Sequence, residues 1–131
     1  MRIYISHSRA FDFRLELYAP VKAALGSEHQ LILPHAESDE PFASRQLFEK
    51  GGCDIVLAET SFPSTGSGIE LGWASSAGIP IYSIRRINTA LSGSVTAVST
   101  SVIEYTDFKD LELVVKTLIR GITHGSSRDF A

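Results

Sequence analysis

One glutamate of this chain follows a strand and a run of small residues, where a reacting carboxylate is often found. Glu70 comes after the apolar strand pattern Ile55 to Ala58 and the stretch Ser64 to Gly68. A strand, a glycine loop and a helix together direct backbone N–H groups and the positive end of a helix dipole beyond the sheet. We expect Glu70 in the first turn of that helix, where its charge would repel a bare phosphate. The pattern therefore predicts a reacting group beside a phosphate or sugar.

The chemistry that suits Glu70 best is that of a nucleophile or an electrostatic stabiliser. A glutamate at a helix N-terminus is favoured in its ionised form, so it is a poor proton donor. An ionised carboxylate under the anomeric carbon of a sugar is what displacement through an oxocarbenium-like transition state requires. The alternative is that Glu70 only favours its own helix dipole, as first-turn glutamates often do. The neighbouring serines and glycines favour the reactive role.

The segment before Glu70 offers groups that suit a phosphate. Gly66 and Gly68 permit a positive φ and the close approach of a ligand, and Ser64 and Ser67 offer hydroxyl donors. A lone Gly-x-Gly is not specific, because any tight turn from a strand to a helix can use glycine. The segment therefore predicts a ligand site only together with the other loops.

Two more loops place polar side chains directly after strand patterns. Ser6-His7-Ser8-Arg9 sets a cation beside two hydroxyls, which suits a phosphate, and the alternative is a capped surface turn with a solvated arginine. We expect Ser6, Ser8 and Arg9 to contribute to phosphate binding. His35 follows the second strand, and a lone histidine is more often structural than catalytic. Because the carboxyl ends of parallel strands meet at one edge, His35 is still a candidate proton donor.

Short apolar runs alternate with segments of helical period along the chain. The strand patterns cover 3–5, 30–33, 54–58, 79–84 and 101–105, and the helical patterns cover 13–25, 41–50, 67–77 and 107–119. This alternation predicts an α/β fold: a flavodoxin-like (Rossmann-like) five-stranded parallel sheet in the order 2-1-3-4-5, with helices on both faces. We expect one domain over residues 1–122 and a polar, frayed tail over 123–131.

Composition narrows the class of function. The chain has 131 residues, 44% of them hydrophobic, and a net charge of −3 with no basic run, so neither nucleic acid nor a membrane is an expected partner. The lone Cys53 fits a small core residue in a reducing compartment, and Met1 leads directly into a strand. We therefore expect a cytoplasmic protein. No His, Cys or Asp cluster has the spacing of metal ligands, so neither a metal nor another cofactor is expected.

The run from Asp54 to Glu59 and the run from Pro63 to Ala74 together resemble the nucleoside 2-deoxyribosyltransferase superfamily. The closest resemblance is to its 2′-deoxynucleoside 5′-monophosphate N-hydrolase branch. These residues look like the family's strand, its Pro-Ser-x-Gly-x-Gly loop and its glutamate-bearing helix, and the spacing extends the resemblance weakly over about residues 1 to 120. The resemblance implies a flavodoxin-like domain that cleaves N-glycosidic bonds.

The resemblance also implies roles for particular residues. Glu70 falls on the catalytic nucleophile, and Tyr4 falls on the tyrosine that positions it. Ser8, Ser64 and Gly66 fall on positions that hold the 5′-phosphate in the hydrolase branch. The substrate expected from this match is a small-molecule nucleoside or nucleotide.

The resemblance further implies a homodimer or a higher homo-oligomer. Ser92 or Ser94 corresponds to a serine that enters the partner subunit's phosphate site, with an alignment that is ambiguous by two residues. Ile69, Trp73 and Ala77 share one helical face that would suit an apolar seam between subunits. The alternative is that this face packs on the sheet.

Two departures from the family pattern bear on activity. The family's acid lies eight positions before the aspartate that opens the third strand, and counting back from Asp54 gives Gln46, which is not an acid. His7 replaces a usual glycine, and Ala10 stands where the hydrolase branch has an arginine.

The leading prediction is hydrolysis or deoxyribosyl transfer at the N-glycosidic bond of a nucleoside or nucleoside 5′-monophosphate.

Two alternatives remain open from the sequence. The first is a nucleotide-binding module that lost catalysis with its acid. The second and more remote is a Toll/interleukin-1 receptor-like NAD-cleaving or signalling domain, suggested by the opening Ile3-Tyr4-Ile5-Ser6-His7-Ser8. Nothing in the sequence separates purine from pyrimidine substrates.

Overall fold

A computed structural model describes residues 1–90 and 92–124 and contains one five-stranded sheet. The strands are β1 (Arg2–Ser6), β2 (Gln30–Ile32), β3 (Ile55–Glu59), β4 (Ile81–Arg86) and β5 (Ser101–Tyr105). All paired strands are parallel and their order is β2-β1-β3-β4-β5. The predicted flavodoxin-like sheet is therefore confirmed.

Helices cover both faces of this sheet. A π-helical turn (Arg14–Tyr18) continues into α1 (Ala19–Leu25), and the others are α2 (Ser44–Glu49), α3 (Thr65–Ser76), α4 (Gly93–Val98) and α5 (Phe108–His124). On one face, buried residues of β1 and β3 pack with α1 and α5, and on the other face Tyr4, Val56 and Ala58 pack with α2 and α3. Burial on both faces explains the continuous apolar runs Ile3 to Ile5 in β1 and Ile55 to Ala58 in β3.

The start of α3 differs from the sequence prediction. Ser64 is extended, at φ −151°, and its Oγ accepts a hydrogen bond of 3.1 Å from the Ser67 amide, so Ser64 is the N-cap and the helix begins at Thr65. The predicted loop from Ser64 to Gly68 is therefore the cap and first turn of the helix. Glu70 lies in the second turn, and its predicted first-turn position is wrong.

The glycines of this first turn do not serve a left-handed backbone. Among the described residues, the glycines with positive φ are Gly51 and Gly78. A Cβ built at Gly66 or Gly68 would meet no heavy atom within 4 Å. The two glycines therefore do not use the positive φ that glycine permits, and both leave open space beside the helix.

Three further elements differ from the sequence prediction. Helix α4 falls in a segment where none was expected, and the helix expected from residue 13 opens as a π-helical turn. Helix α5 extends to His124, so the first two residues of the predicted tail are helical. The rest of that tail, 125–131, lies outside the described residues. No helix within 1–90 or 92–124 has the length and apolar character that crossing a membrane requires.

Candidate active site

The carboxylate of Glu70 is held through both of its oxygens by strand β1. The Tyr4 hydroxyl donates to Glu70 Oε2 at 2.6 Å, and the Ser6 hydroxyl donates to Glu70 Oε1 at 2.8 Å. Tyr4 and Ser6 are alternate residues of β1, so both side chains leave the same face of the sheet. Ser6 is fully buried, and its hydroxyl contacts the carboxylate instead of the phosphate for which the sequence proposed it.

Tyr4 is a fixed donor to this carboxylate. Its side chain is fully buried, and the ring of Phe48 meets the Tyr4 ring edge-on at 5.1 Å. Burial, together with the negative charge of Glu70, raises the pKa of Tyr4 well above its usual range. The Tyr4 phenol therefore stays protonated near neutral pH and acts as the donor of this hydrogen bond.

A cavity of about 490 Å³ opens over Glu70, between α2, α3 and the loops that follow β1 and β2. This volume falls within the range of small-molecule sites. One wall is polar and contains Arg9 with Ser64, Gly66 and Ser67 from the first turn of α3. Three of the residues proposed from the sequence for phosphate binding are thus brought together here.

Another part of the cavity lining is apolar, and we call it the apolar wall. Phe42, Ile69 and Trp73 line it, and their exposed fractions are 39%, 48% and 37%. The residues of α3 that are buried in the core, against the strands, are Leu71 and Ala74. The alternative that Ile69 and Trp73 pack on the sheet is therefore wrong, and their face stays open to a ligand or another chain.

Two histidines border the same cavity. His35 is half-buried, and its Nδ1 lies 3.3 Å from the Ser38 carbonyl oxygen. His7 is buried, with its ring stacked on Phe13 at 4.3 Å between centroids. Burial lowers the pKa of His7 to about 4, so its imidazole is neutral at physiological pH. From the sequence, His35 is predicted to have a functional role. His7 is noted only because it replaces a glycine of the family pattern.

Ser8 lies in the loop after β1 but does not line this cavity. Its Oγ accepts a hydrogen bond of 3.0 Å from the Ala10 amide and shapes the turn that carries Arg9. Gln46 is exposed on α2 and does not line the cavity either. Within the cavity wall, Glu70 is the one carboxylic acid among the described residues.

Ser92, Ser94 and Gly68 line a different pocket, of about 170 Å³, on the far side of the first turn of α3. The Ser92 Oγ accepts a hydrogen bond of 3.3 Å from the Val95 amide and caps α4. Within this chain, the structure does not bring these three residues to the cavity over Glu70.

A buried network that the sequence prediction missed fixes the segment leading into α3. Glu59 is 1% exposed and accepts hydrogen bonds from the Ser61 amide at 2.5 Å, from the Ser61 hydroxyl at 2.9 Å and from the Tyr105 hydroxyl. The Ser61 Oγ also accepts from the Arg86 amide at 2.8 Å. The one sequence signal for this network was an acidic residue at the end of an otherwise apolar strand.

No group of three His, Cys, Asp or Glu side chains in the described ranges has the arrangement of a metal site.

No protein-family profile and no curated protein sequence matches the chain. Solved structures do resemble it, among them the two described next. The CMP N-glycosidase BcmB of Clostridium botulinum is 18% identical, with a TM-score of 0.63 over 88% of this chain and 98% of that protein.

A 2-deoxyribosyltransferase of the psychrotolerant bacterium Bacillus psychrosaccharolyticus is 17% identical. The TM-score is 0.57 over 86% of this chain and 90% of that protein. At this level of identity, both likenesses establish the α/β fold that these chains share.

Proposed function

We propose that this protein cleaves the N-glycosidic bond of a nucleoside 5′-monophosphate, with Glu70 as the nucleophile. The observation that carries the proposal is a carboxylate held through both oxygens by Tyr4 and Ser6, beneath a cavity with one polar and one apolar wall. The fold likeness to a CMP N-glycosidase and to a 2-deoxyribosyltransferase supports this class of bond.

The spacing along α3 supports a nucleotide as the occupant. Ser64 and Glu70 are six residues apart, about 9 Å along a helix, and Trp73 lies nearly one turn further. In this arrangement the phosphate contacts Arg9, Ser64 and Gly66, and the sugar lies over Glu70. The base then lies against the apolar wall, where Trp73 offers an aromatic surface.

The proposed reaction is a double displacement. Glu70 attacks the anomeric carbon, the C–N bond breaks with its electron pair on the base, and the base takes up a proton, for which His35 is the proposed donor. Water then attacks the same carbon and releases a proton to the solvent, from which His35 is reprotonated, so the sugar phosphate leaves and the carboxylate is regenerated. If a second base attacks instead of water, the outcome is deoxyribosyl transfer. Tyr4 and Ser6 orient the carboxylate in both steps.

Base release from a substrate panel tests the proposal. Purified protein is incubated with the deoxynucleoside and ribonucleoside 5′-monophosphates and with the matching nucleosides, and free base is followed by chromatography. We expect release from at least one monophosphate and a loss of about 10³-fold or more in Glu70→Gln. Glu49→Gln, on the neighbouring helix α2, is the matched control. No release across the panel, or full activity of Glu70→Gln, would overturn the proposal.

The second candidate is a nucleotide-binding module without turnover. The observation that favours it is that no carboxylic acid besides Glu70 lines the cavity among the described residues. Such a module would bind a monophosphate in calorimetry, and the nucleotide would be recovered intact afterwards. Because Gln46 lies outside the cavity, Gln46→Asp is expected to restore nothing.

We also propose that the active unit is a homodimer or a higher homo-oligomer. Ile69 and Trp73 leave an apolar face open, and Ser92 with Ser94 lies at a pocket apart from the cavity of its own chain. A neighbouring copy would place those serines beside a second active site. Light scattering at micromolar concentration is expected to show at least a dimer, and an active monomer would contradict this.

A further inference from the structure

Two side chains of the π-helical turn form hydrogen bonds with the backbone of His35, one with its amide and one with its carbonyl. The Tyr18 hydroxyl oxygen accepts a hydrogen bond of 3.1 Å from the His35 amide, and Arg14 Nε donates to the His35 carbonyl oxygen at 3.1 Å. Arg14 also pairs with Asp39 at 2.9 Å, four residues further along the same loop. The turn closes with an i→i+5 bond from the Ala19 amide to the Arg14 carbonyl, a geometry often found at functional sites.

A third residue, His7, gives the contact at Tyr18 a fixed direction. His7 Nδ1 lies 2.8 Å from the Ser8 carbonyl oxygen, which can only accept, so Nδ1 carries the proton. Because the imidazole is neutral, Nε2 accepts, and the Tyr18 hydroxyl donates to it at 2.6 Å. The oxygen of Tyr18 is then free to accept from the His35 amide. One phenol therefore connects the loop after β1 with the loop after β2.

These two loops both contribute residues to the wall of the cavity. The loop after β1 carries Arg9, and the loop after β2 carries His35. The side-chain contact of His35 with the Ser38 carbonyl, at 3.3 Å, is long and exposed, so it restrains the imidazole weakly. The backbone contacts from the π-helical turn are the stronger restraint on where this histidine lies.

We infer that Tyr18 and Arg14 are positioning residues, which hold His35 at the cavity from the π-helical turn. The inference deepens the proposed function, since the group they place is the proposed proton donor. It concerns neither phosphate binding nor the nucleophile. Removing the phenol oxygen of Tyr18 should therefore release the loop of His35, and it also leaves His7 Nε2 without its donor. Replacing Arg14 removes the contact to the His35 carbonyl and leaves the bond between Tyr18 and His7 in place.

Amide hydrogen exchange tests this positioning without any substrate. Tyr18→Phe keeps the ring that packs edge-on against Phe13 and removes only the oxygen. We expect the His35 amide to exchange about tenfold faster or more in this variant, the effect of losing one hydrogen bond. Tyr82→Phe, which removes a half-buried phenol oxygen elsewhere, is the matched control and should leave that exchange unchanged. Arg14→Met is the second variant and should also speed exchange in the loop. Unchanged exchange at His35 in Tyr18→Phe would overturn the inference.

A double-mutant cycle separates positioning from a general loss of structure. Tyr18→Phe is expected to lower kcat about tenfold. Arg14→Met, which leaves the bond between Tyr18 and His7 in place, is expected to lower kcat with little change in KM. In a His35→Ala background either change should have little further effect on kcat, since the backbone contacts remain but the imidazole that they position is already gone. An equal loss in both backgrounds would overturn the role through His35. If the unmodified protein releases no base at all, the proposed function fails, and the exchange measurement still decides the positioning.

Discussion

Ser6 and Glu70 are joined by a hydrogen bond of 2.8 Å from a fully buried hydroxyl to one carboxylate oxygen, 64 residues apart in the sequence. Tyr4 holds the other oxygen from the same strand. With both oxygens restrained, the carboxylate cannot rotate freely, and one orientation is presented to the cavity. Ser6, the last residue of β1, is thus one of the two residues that orient the Glu70 carboxylate.

Ser6→Ala should therefore reduce turnover without weakening substrate binding. Loss of one hydrogen bond to a charged group corresponds to about 1.5–3 kcal/mol, or about 10- to 100-fold in kcat. The measurement is kcat and KM for the best monophosphate. Ser76→Ala, at the far end of α3, is a control for handling and stability. A rise in KM with an unchanged kcat would instead return Ser6 to substrate binding.

His7 should make the folded state sensitive to mild acid. Its pKa is lowered from 6.5 to about 4, mainly by burial, with smaller contributions from His35, Arg9 and Arg14. Above about pH 6.5 the imidazole is neutral in both states, so it adds no pH dependence. Between about pH 6.5 and 4 the unfolded chain takes up a proton that the folded chain excludes. The free energy of unfolding therefore decreases as the pH is lowered through this range.

Chemical denaturation checks this effect. Between about pH 7 and pH 4.5 the chain should lose about 2 kcal/mol more of its unfolding free energy than His7→Leu does. His124→Gln, at the exposed end of α5, should behave like the unmodified chain. Equal losses in the unmodified chain and in His7→Leu would contradict the lowered pKa.

The strands could be predicted from the sequence because each is a short apolar run closed by polar or turn residues. Helix α4 could not, because Gly93–Val98 has six residues and none of them is buried, so it carries no core-facing period. The π-helical turn reads as an ordinary helix in the sequence. It is distinguished in the structure by i→i+5 bonding, as in the bond from the Ala19 amide to the Arg14 carbonyl.

The residues of the candidate site also divide into those that could be predicted from the sequence and those that could not. Glu70, His35 and Arg9 could be named from local patterns, because each follows a strand at the edge where ligands bind. The contact of Glu59 with Tyr105 could not, since it joins residues 46 positions apart in a parallel sheet. The places of Ser6 and Ser8 were missed for a related reason: a hydroxyl's partner depends on packing, which the residue type does not encode.

Arg9 should distinguish nucleotides from nucleosides. Its exposed guanidinium lies on the polar wall with Ser64 and Gly66, where the proposal places the phosphate. Arg9→Ala should raise KM for a monophosphate about tenfold or more and leave the matching nucleoside unaffected, because only the charged contact is lost. Arg120→Ala, on α5, is the control with the same change of charge. An equal loss for both substrates would place Arg9 outside the phosphate site.

His35 should matter only when the leaving group needs a proton. The ring nitrogen of a natural base leaves poorly as an anion, so His35→Ala should slow the natural monophosphate about 10²-fold, the usual contribution of a positioned acid. A 4-nitrophenyl glycoside of the same sugar phosphate releases a stabilised anion, and its cleavage should be almost unchanged. Both substrates share the nucleophile, so Glu70→Gln should abolish both reactions and serves as the control. If His35→Ala slows both substrates equally, the histidine supports binding or structure, and the proton must reach the base from water.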